Sequence, residues 1–249
     1  MESMKQLTKY LLLLCLMVFT SCDKETAPDC FKKAGEEVTV RRELSAFNEI
    51  EITDYLFIEL IQSADRHIEV VGPKNILPKI ITDVSDEKLF IENTNTCNFV
   101  RSFKNRVTIK IYAPSFTYIT NRGTGDIKSI GTLSGSYLKI ENKHASGKIE
   151  LDFEGDSLAA YTQTGVSEMI IKGEVTKVEL FNQGLGLMDA RDLRSNEAYV
   201  NNSTINDIYV NTDGYLFGRI DFSGNIYVRS NPTQIDQAIT GSGKIIAIP

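Results

Sequence analysis

From residue 114 onward one short phrase recurs about every twenty residues: a small side chain, then an apolar one two places later. The pairs are Gly125/Ile127, Gly147/Ile149, Ser167/Met169, Gly186/Met188, Asn206/Ile208, Gly224/Ile226 and Gly243/Ile245. Their apolar members lie 22, 20, 19, 20, 18 and 19 residues apart. Five of the seven small positions are Gly, whereas 17 Gly in 249 residues would place fewer than one there by chance. Two residues past each anchor stand Ser129, Leu151, Ile171, Ala190, Val210, Val228 and Ala247, mostly apolar, so anchor and anchor+2 share one face of a strand.

A second short strand precedes each corner: Tyr137-Leu-Lys-Ile140, Val178-Glu-Leu180, Ala198-Tyr-Val200, Tyr215-Leu-Phe217 and Gln237-Ala-Ile239. A unit of strand, corner and strand this small cannot bury its apolar face without a neighbour above and below. The expectation is an all-β fold, a β-solenoid (right-handed β-helix-like) of roughly 20-residue coils. Strand-turn-strand at this spacing also suits an up-and-down barrel or a sandwich, but recurrence of a whole phrase favours the solenoid. Glycine at the corners is expected to supply a positive φ. Asn121, Asn142, Asn182 and Asn201 are expected to satisfy corner backbone groups and to stack as amide ladders.

The first half is strand-rich without the phrase. Phe47–Ile52, Leu56–Ile61, Ile68–Val71, Lys88–Glu92 and Val107–Tyr112 alternate as half-buried strands do, and no long amphipathic helix is legible. Ala113-Pro114-Ser115 is the natural seam. The chain divides into a leader at 1–21, a tether at 22–37, an N-terminal β region at 38–113 and the repeat region at 114–249.

Lys5 and Lys9 precede the apolar run Leu11–Phe19, which is too short to span a bilayer and reads as a secretory signal. Phe19-Thr-Ser-Cys22 resembles a bacterial lipoprotein signal, in which Cys22 would carry the lipid. Two or three acyl chains, at about 0.8 kcal/mol per buried methylene, hold a soluble domain on a membrane almost irreversibly. Asp23-Lys-Glu25 resembles the surface-export signal of lipoproteins in Bacteroidetes-like bacteria. The expected location is therefore the outer membrane, lipid-anchored, with cell-surface display as the reading and a periplasm-facing anchor as the alternative. With Cys15 in the leader and Cys22 lipidated, Cys30 and Cys97 remain as the one possible intrachain pair, a disulfide or two free thiols.

Lys and Arg number 27 against 33 Asp and Glu, a net charge of -6, which does not describe a phosphate-neutralising surface, so nucleic acid is not an expected partner. His67 and His144 stand 77 residues apart, so no metal site and no cofactor is expected. No nucleophile elbow and no phosphate-binding loop occurs, and no catalytic residue is assigned. Asp152 and Glu154 fall on one side of a strand; they read as a solvated face alternating with Leu151 and Phe153, the sharper alternative being an acid and base pair or a calcium site.

The residue just after each anchor points outward, and its last three members, Tyr209, Tyr227 and Ile246, would line up in one outer patch. This is the candidate binding surface. The alternative is a plain cross-strand ladder, or one covered by the N-terminal half.

Arg42 with Phe47-Asn-Glu-Ile50, Gly72-Pro-Lys-Asn-Ile-Leu77, Asn93-Thr-Asn-Thr-Cys-Asn-Phe-Val-Arg101 and the serial glycine corners ending in Gly241-Ser-Gly-Lys-Ile245 carry a wider likeness. Over about residues 38–248 the chain resembles the bacterial family described as "putative auto-transporter adhesin, head GIN domain", common as lipoproteins in Bacteroidetes. The corners at Val166-Ser-Glu168 and Ile205-Asn-Asp207 depart from its small-residue pattern. The resemblance implies solenoid-like all-β coils and a role in surface adhesion or binding, with no catalytic set to transfer. The functional expectation is a non-enzymatic envelope lipoprotein that binds a glycan or a protein. The rivals are a polysaccharide-active enzyme and a self-associating structural protein, with a homo-oligomer expected in the latter case.

Overall fold

The computed structural model describes residues 34–95 and 106–249. Cys22, Cys30 and Cys97, and with them the lipidation and disulfide expectations, lie outside the described residues. Among the described residues there are seventeen strands, one 3₁₀ turn at Leu77–Lys79 and no α-helix. The strands are β1 Glu37–Glu43, β2 Glu49–Ile52, β3 Phe57–Gln62, β4 His67–Pro73, β5 Ile80–Ser85, β6 Lys88–Asn93, β7 Thr108–Ala113, β8 Tyr118–Asn121 and β9 Ile127–Ser129. They continue as β10 Leu133–Asn142, β11 Lys148–Thr162, β12 Glu168–Asn182, β13 Met188–Asn202, β14 Ile208–Ile220, β15 Ile226–Val228, β16 Gln234–Ile239 and β17 Ile245–Ala247.

The repeat region is the expected β-solenoid. Each coil lies parallel and in register on the next: Leu138 pairs with Leu158, Leu158 with Val178, Val178 with Ala198, and Ala198 with Leu216. Two ladders run the length of the column, one made of the strand segments before each corner and one of the segments after it. In the post-corner ladder Ile58, Ile127, Ile149, Met169, Met188, Ile208, Ile226 and Ile245 form one continuous file. All but Ile245 are buried. Burying such a side chain is worth about 1.5–3 kcal/mol, and here each coil obtains that burial only from its neighbours.

The N-terminal strands extend the same column out of chain order. β2 pairs with both β6 and β8, and β3 with both β7 and β9, so the coil of β2 and β3 is seated between those of β6–β7 and β8–β9. Antiparallel strands close this end, β5 on β6, β4 on β7 and β1 on β4. One hydrophobic cluster runs from Phe47 to Val228.

The corners show why small residues recur. Only Gly147 among the phrase glycines has a positive φ, +101°. Elsewhere the demand is for space. A Cβ on Gly186 would lie 1.8 Å from the Ser167 carbonyl oxygen, one on Gly224 2.0 Å from that of Asn206, and one on Gly243 2.1 Å from that of Gly224. Real Cβ atoms do not approach so closely, so at these corners glycine serves backbone-on-backbone stacking and not a left-handed turn.

Asparagine closes the same corners from within. Asn182 Oδ1 accepts the Gly184 N–H at 3.1 Å while its Nδ2 donates to the Gly186 carbonyl at 3.0 Å. Asn202 Nδ2 donates to the carbonyls of Asn206 and Asn225 at 2.9 and 3.0 Å. Asn121 Nδ2 donates to Asn142 Oδ1 at 3.0 Å. One expectation needs correcting. The fourth asparagine of this file is Asn202 and not Asn201, because Asn182 pairs in register with Asn202. Asn201 falls on the outward side of the strand. Thr162 stands in the file between Asn142 and Asn182.

Two stability differences follow. Gly186→Ala should cost about 3 kcal/mol in chemical denaturation of the full chain through overpacking. Gly135→Ala, where a Cβ meets nothing within 4 Å, should be neutral. Asn202→Ala should cost about 1–3 kcal/mol by leaving two partly buried carbonyls unpaired, against about 0.5 kcal/mol or less for its neighbour Asn201→Ala.

Candidate functional site: an aromatic outer face

Strand alternation turns Leu138, Ile140 and Asn142 into the column and Tyr137, Lys139 and Glu141 out of it. Stacking then sets the outward residues in files with about 4.8 Å between coils. One file of the pre-corner ladder reads Tyr118, Lys139, Ala159, Glu179, Tyr199 and Phe217. The file beside it reads Thr120, Glu141, Tyr161, Phe181, Asn201 and Arg219. From Lys139 and Glu141 onward, Ala159 apart, they line an open groove of about 640 Å³ floored by aromatic rings and edged by charged and amide groups.

The rings are held in place. Tyr161 and Phe181 meet edge to face, with centroids 5.9 Å apart and planes at 69°. Lys139 Nζ lies 4.7 Å from the Tyr161 ring centroid and 5.0 Å from that of Tyr118. Lys177 Nζ sits 4.6 Å from the Tyr199 ring, and Tyr199 contacts Tyr215 at 5.7 Å. Such cation–π and ring pairs contribute about 0.5–1.5 kcal/mol each. Ala159 is the small residue in its file and is buried, so Lys139, Tyr161 and Glu179 close over it.

Both carboxylates of the groove are occupied. Glu141 is 3% exposed and accepts hydrogen bonds from the Tyr118 hydroxyl and Gln163 Nε2, with Lys143 Nζ at 3.1 Å. Burial pushes its pKa up, but the hydrogen bonds from Tyr118 and Lys143 and the nearby Lys139 charge outweigh this and hold it below the ordinary carboxyl value. Glu179 is held low by the Lys177 ammonium at 2.6 Å and, against the effect of burial, by the Tyr161 hydroxyl at 2.9 Å. The Tyr161 phenol is pushed up to about 12 by burial and by its bond to the charged Glu179. Near neutral pH both acids are ionised and both phenols protonated, an arrangement for holding hydrogen bonds and not for passing protons.

The predicted binding residues lie on another outer surface. Asp189, Tyr209, Tyr227 and Ile246 follow one another in the post-corner ladder, as expected. Tyr209 and Tyr227 stack at 5.0 Å and 14°, with the Arg191 guanidinium 4.0 Å from the Tyr209 ring and 2.9 Å from Asp189. Asp152 and Glu154 alternate outward with buried Leu151 and Phe153. Asp152 pairs with Lys172 at 3.1 Å, and Glu154 stands in register with Glu174. His67 is buried and stacked on Tyr112 at 4.2 Å, while His144 sits at an exposed corner beside Thr164. Among the described residues no three His, Cys, Asp or Glu side chains converge on a metal site, and no helix is long and apolar enough to cross a membrane.

Sequence reasoning missed the pre-corner face. The signal was present as Tyr161 and Phe181 twenty residues apart and Tyr199 and Phe217 eighteen apart, the same period as the anchors. Lys139, Ala159 and Glu179 interrupt the file, so its rings do not stand out as one run in the sequence.

Fold and surface define the class, a β-solenoid carrying an aromatic outer face. The chain belongs to the family described as "Putative auto-transporter adhesin, head GIN domain", whose model matches residues 46–232. It is similar to the crystal structure of a putative adhesin from Bacteroides fragilis NCTC 9343, with a TM-score of 0.79, 25% identity, and coverage of 86% of this chain and 97% of that one. A putative adhesin from Parabacteroides distasonis ATCC 8503 follows at 0.71 and 17%, covering 86% and 98%. A putative lipid binding protein from the same organism shares the fold at 0.64 and 19%, with the same coverage. The comparison with curated proteins gave no match. An adhesin-head family implies a surface or extracellular protein and supports a non-catalytic module.

The two depressed carboxyls make stability pH-dependent with a definite sign. Their folded pKa values lie below the ordinary 4.5, so the unfolded chain binds protons first. Their contribution is complete above about pH 4.5 and is lost as pH falls through the depressed values. Urea unfolding midpoints should drop across that acid range, and Glu141→Gln should flatten the drop.

Proposed function

We propose that this chain is an exported lipoprotein, held at the outer membrane through Cys22 and displayed at the cell surface, whose pre-corner face binds a glycan without cleaving it. A Cys30–Cys97 bridge tying tether to column belongs to the same proposal. The observation that carries the ligand reading is the composition of the groove. Tyr161, Phe181, Tyr199 and Phe217 offer apolar ring surface, and Gln163 and Asn201 offer amides beside it. A sugar presents the matching combination of C–H faces and hydroxyls. Lys139 and Arg219 balance Glu141 and Glu179, so the groove favours a neutral glycan over a polyanion. One structural neighbour is named a lipid binding protein, but an open groove with a charged rim suits a sugar better than an acyl chain, which needs an enclosed apolar channel.

The stacked Tyr209 and Tyr227 with Ile246 support a second reading, in which the post-corner surface is the contact and its partner a protein. Affinity measurements with neutral polysaccharides separate the two. Tyr199→Ala and Phe217→Ala should each weaken binding about tenfold, roughly 1.4 kcal/mol, and Tyr209→Ser with Tyr227→Ser should leave it unchanged. The reverse pattern moves the site to the post-corner surface, and shortened glycan products would make the chain an enzyme.

A further inference from the structure

The two ends of the column are finished differently. At the N-terminal end antiparallel strands fold over the last parallel coil and leave two edge strands: β5, whose Ile80 carbonyl and Thr82 hydroxyl accept hydrogen bonds from Arg42 Nη1, and β1, which carries Glu37, Arg41, Arg42 and Glu43 within seven residues. Charge of this density on an edge strand discourages further pairing. At the other end β16 pairs with β14 on one side, and all six of its residues are exposed. Register places Ile235 over Leu216 and Ile239 over Ile220, on the side that faces the core in every coil beneath. Leu216 and Ile220 are fully buried, whereas Ile235 is 48% and Ile239 38% exposed. The one charge in β16, Asp236, points outward and accepts a hydrogen bond from the Tyr215 hydroxyl at 3.0 Å. It does not shield the backbone edge.

We propose that a second copy of this chain docks on β16, the two strands pairing antiparallel about a two-fold axis at Gln237. Strand geometry selects this register. Directly opposed residues of an antiparallel pair point to the same side, so the inward row must meet the inward row and the axis must pass through a residue. An axis at Asp236 would set that carboxylate against its own copy, a destabilising like-charge pair. An axis at Ile235 or Ala238 leaves an isoleucine without an apolar partner. With the axis at Gln237, Ile235 of each copy meets Ile239 of the other, Asp236 meets Ala238, and the Gln237 amides meet each other. The contact is isologous and closes at two copies, so it ends the exposed edge instead of passing it on. Antiparallel pairing also keeps the outward sides together, so the aromatic faces become one surface. Three strand spacings, about 14 Å, would separate the two coils that carry Phe217.

Cysteine placement tests the register on the full chain in detergent. Gln237→Cys brings two thiols together at the axis and should yield a dimer on non-reducing gels that reductant dissolves. Ile235→Cys faces Ile239 and should remain at the parent level. Sedimentation should show the parent as a dimer and Ile235→Lys as a monomer with an unchanged circular dichroism spectrum. A parent that sediments as a monomer, equal cross-linking from the two cysteine variants, or a dimer that survives Ile235→Lys would each overturn the proposal.

Discussion

The coils of this molecule depend on parallel backbones stacked in register at about 4.8 Å. At the corners that spacing leaves no room for a Cβ, which is why Gly186 lies beneath a carbonyl 1.8 Å from where its side chain would begin. The same spacing makes Asn182 and Asn202 useful, because a short amide reaches both the N–H two residues on and the carbonyl four residues on within its own corner. Asn202 also reaches the next coil through the Asn225 carbonyl. Glycine permits the coils to approach and asparagine satisfies the polar backbone that the approach buries.

In-register stacking has a second consequence, on the outside. A strict repeat would place like charges directly over one another, which is destabilising. The outward file of the post-corner ladder avoids this by alternating sign through Arg41, Glu69, Lys110, Glu59, Lys128 and Glu150. Lys128 and Glu59 meet at 3.0 Å, Lys110 and Glu69 at 3.6 Å. Each exposed pair is worth at most about 1 kcal/mol, and the alternation leaves no like charges directly opposed along this stretch of the file. Farther along the column the file passes through Ile170 and Asp189 to Tyr209 and Tyr227, where stacked rings replace ion pairs.

The repeat was legible because inward positions must be apolar at every coil, so Ile149, Met169, Met188 and Ile208 imprint a period on the sequence. The first two coils left no such imprint. The corner between β2 and β3 is built differently, with Asp54 at φ +64°, and the coil of β2 and β3 is seated between strands later in the chain, an order that linear spacing does not encode. The Asn201 assignment failed by one residue for a related reason: both neighbours are Asn, and only pairing with Asn182 decides which faces inward. The aromatic groove was half legible. Its rings keep the period, but Ala159, Lys139 and Glu179 interrupt the file, and their part in positioning Tyr161 exists only between coils.

On the glycan-binding proposal, those interruptions are what would make the groove a recognition surface and not merely apolar cover. A file of rings alone would pack against itself or against any apolar partner. Lys139 over the Tyr118 and Tyr161 rings, and Glu179 between Lys177 and the Tyr161 hydroxyl, anchor these two phenols through contacts made within the fold itself. Ordering a long side chain at an interface costs about 0.5–1.5 kcal/mol, and here that ordering is already done in folding. A flat, stacked scaffold cannot close around a ligand as a lid does, so the binding proposed for this face would draw its affinity from preorganisation along its length. For the same reason, doubling the length of the face across β16 would strengthen binding to an extended partner without any new kind of contact.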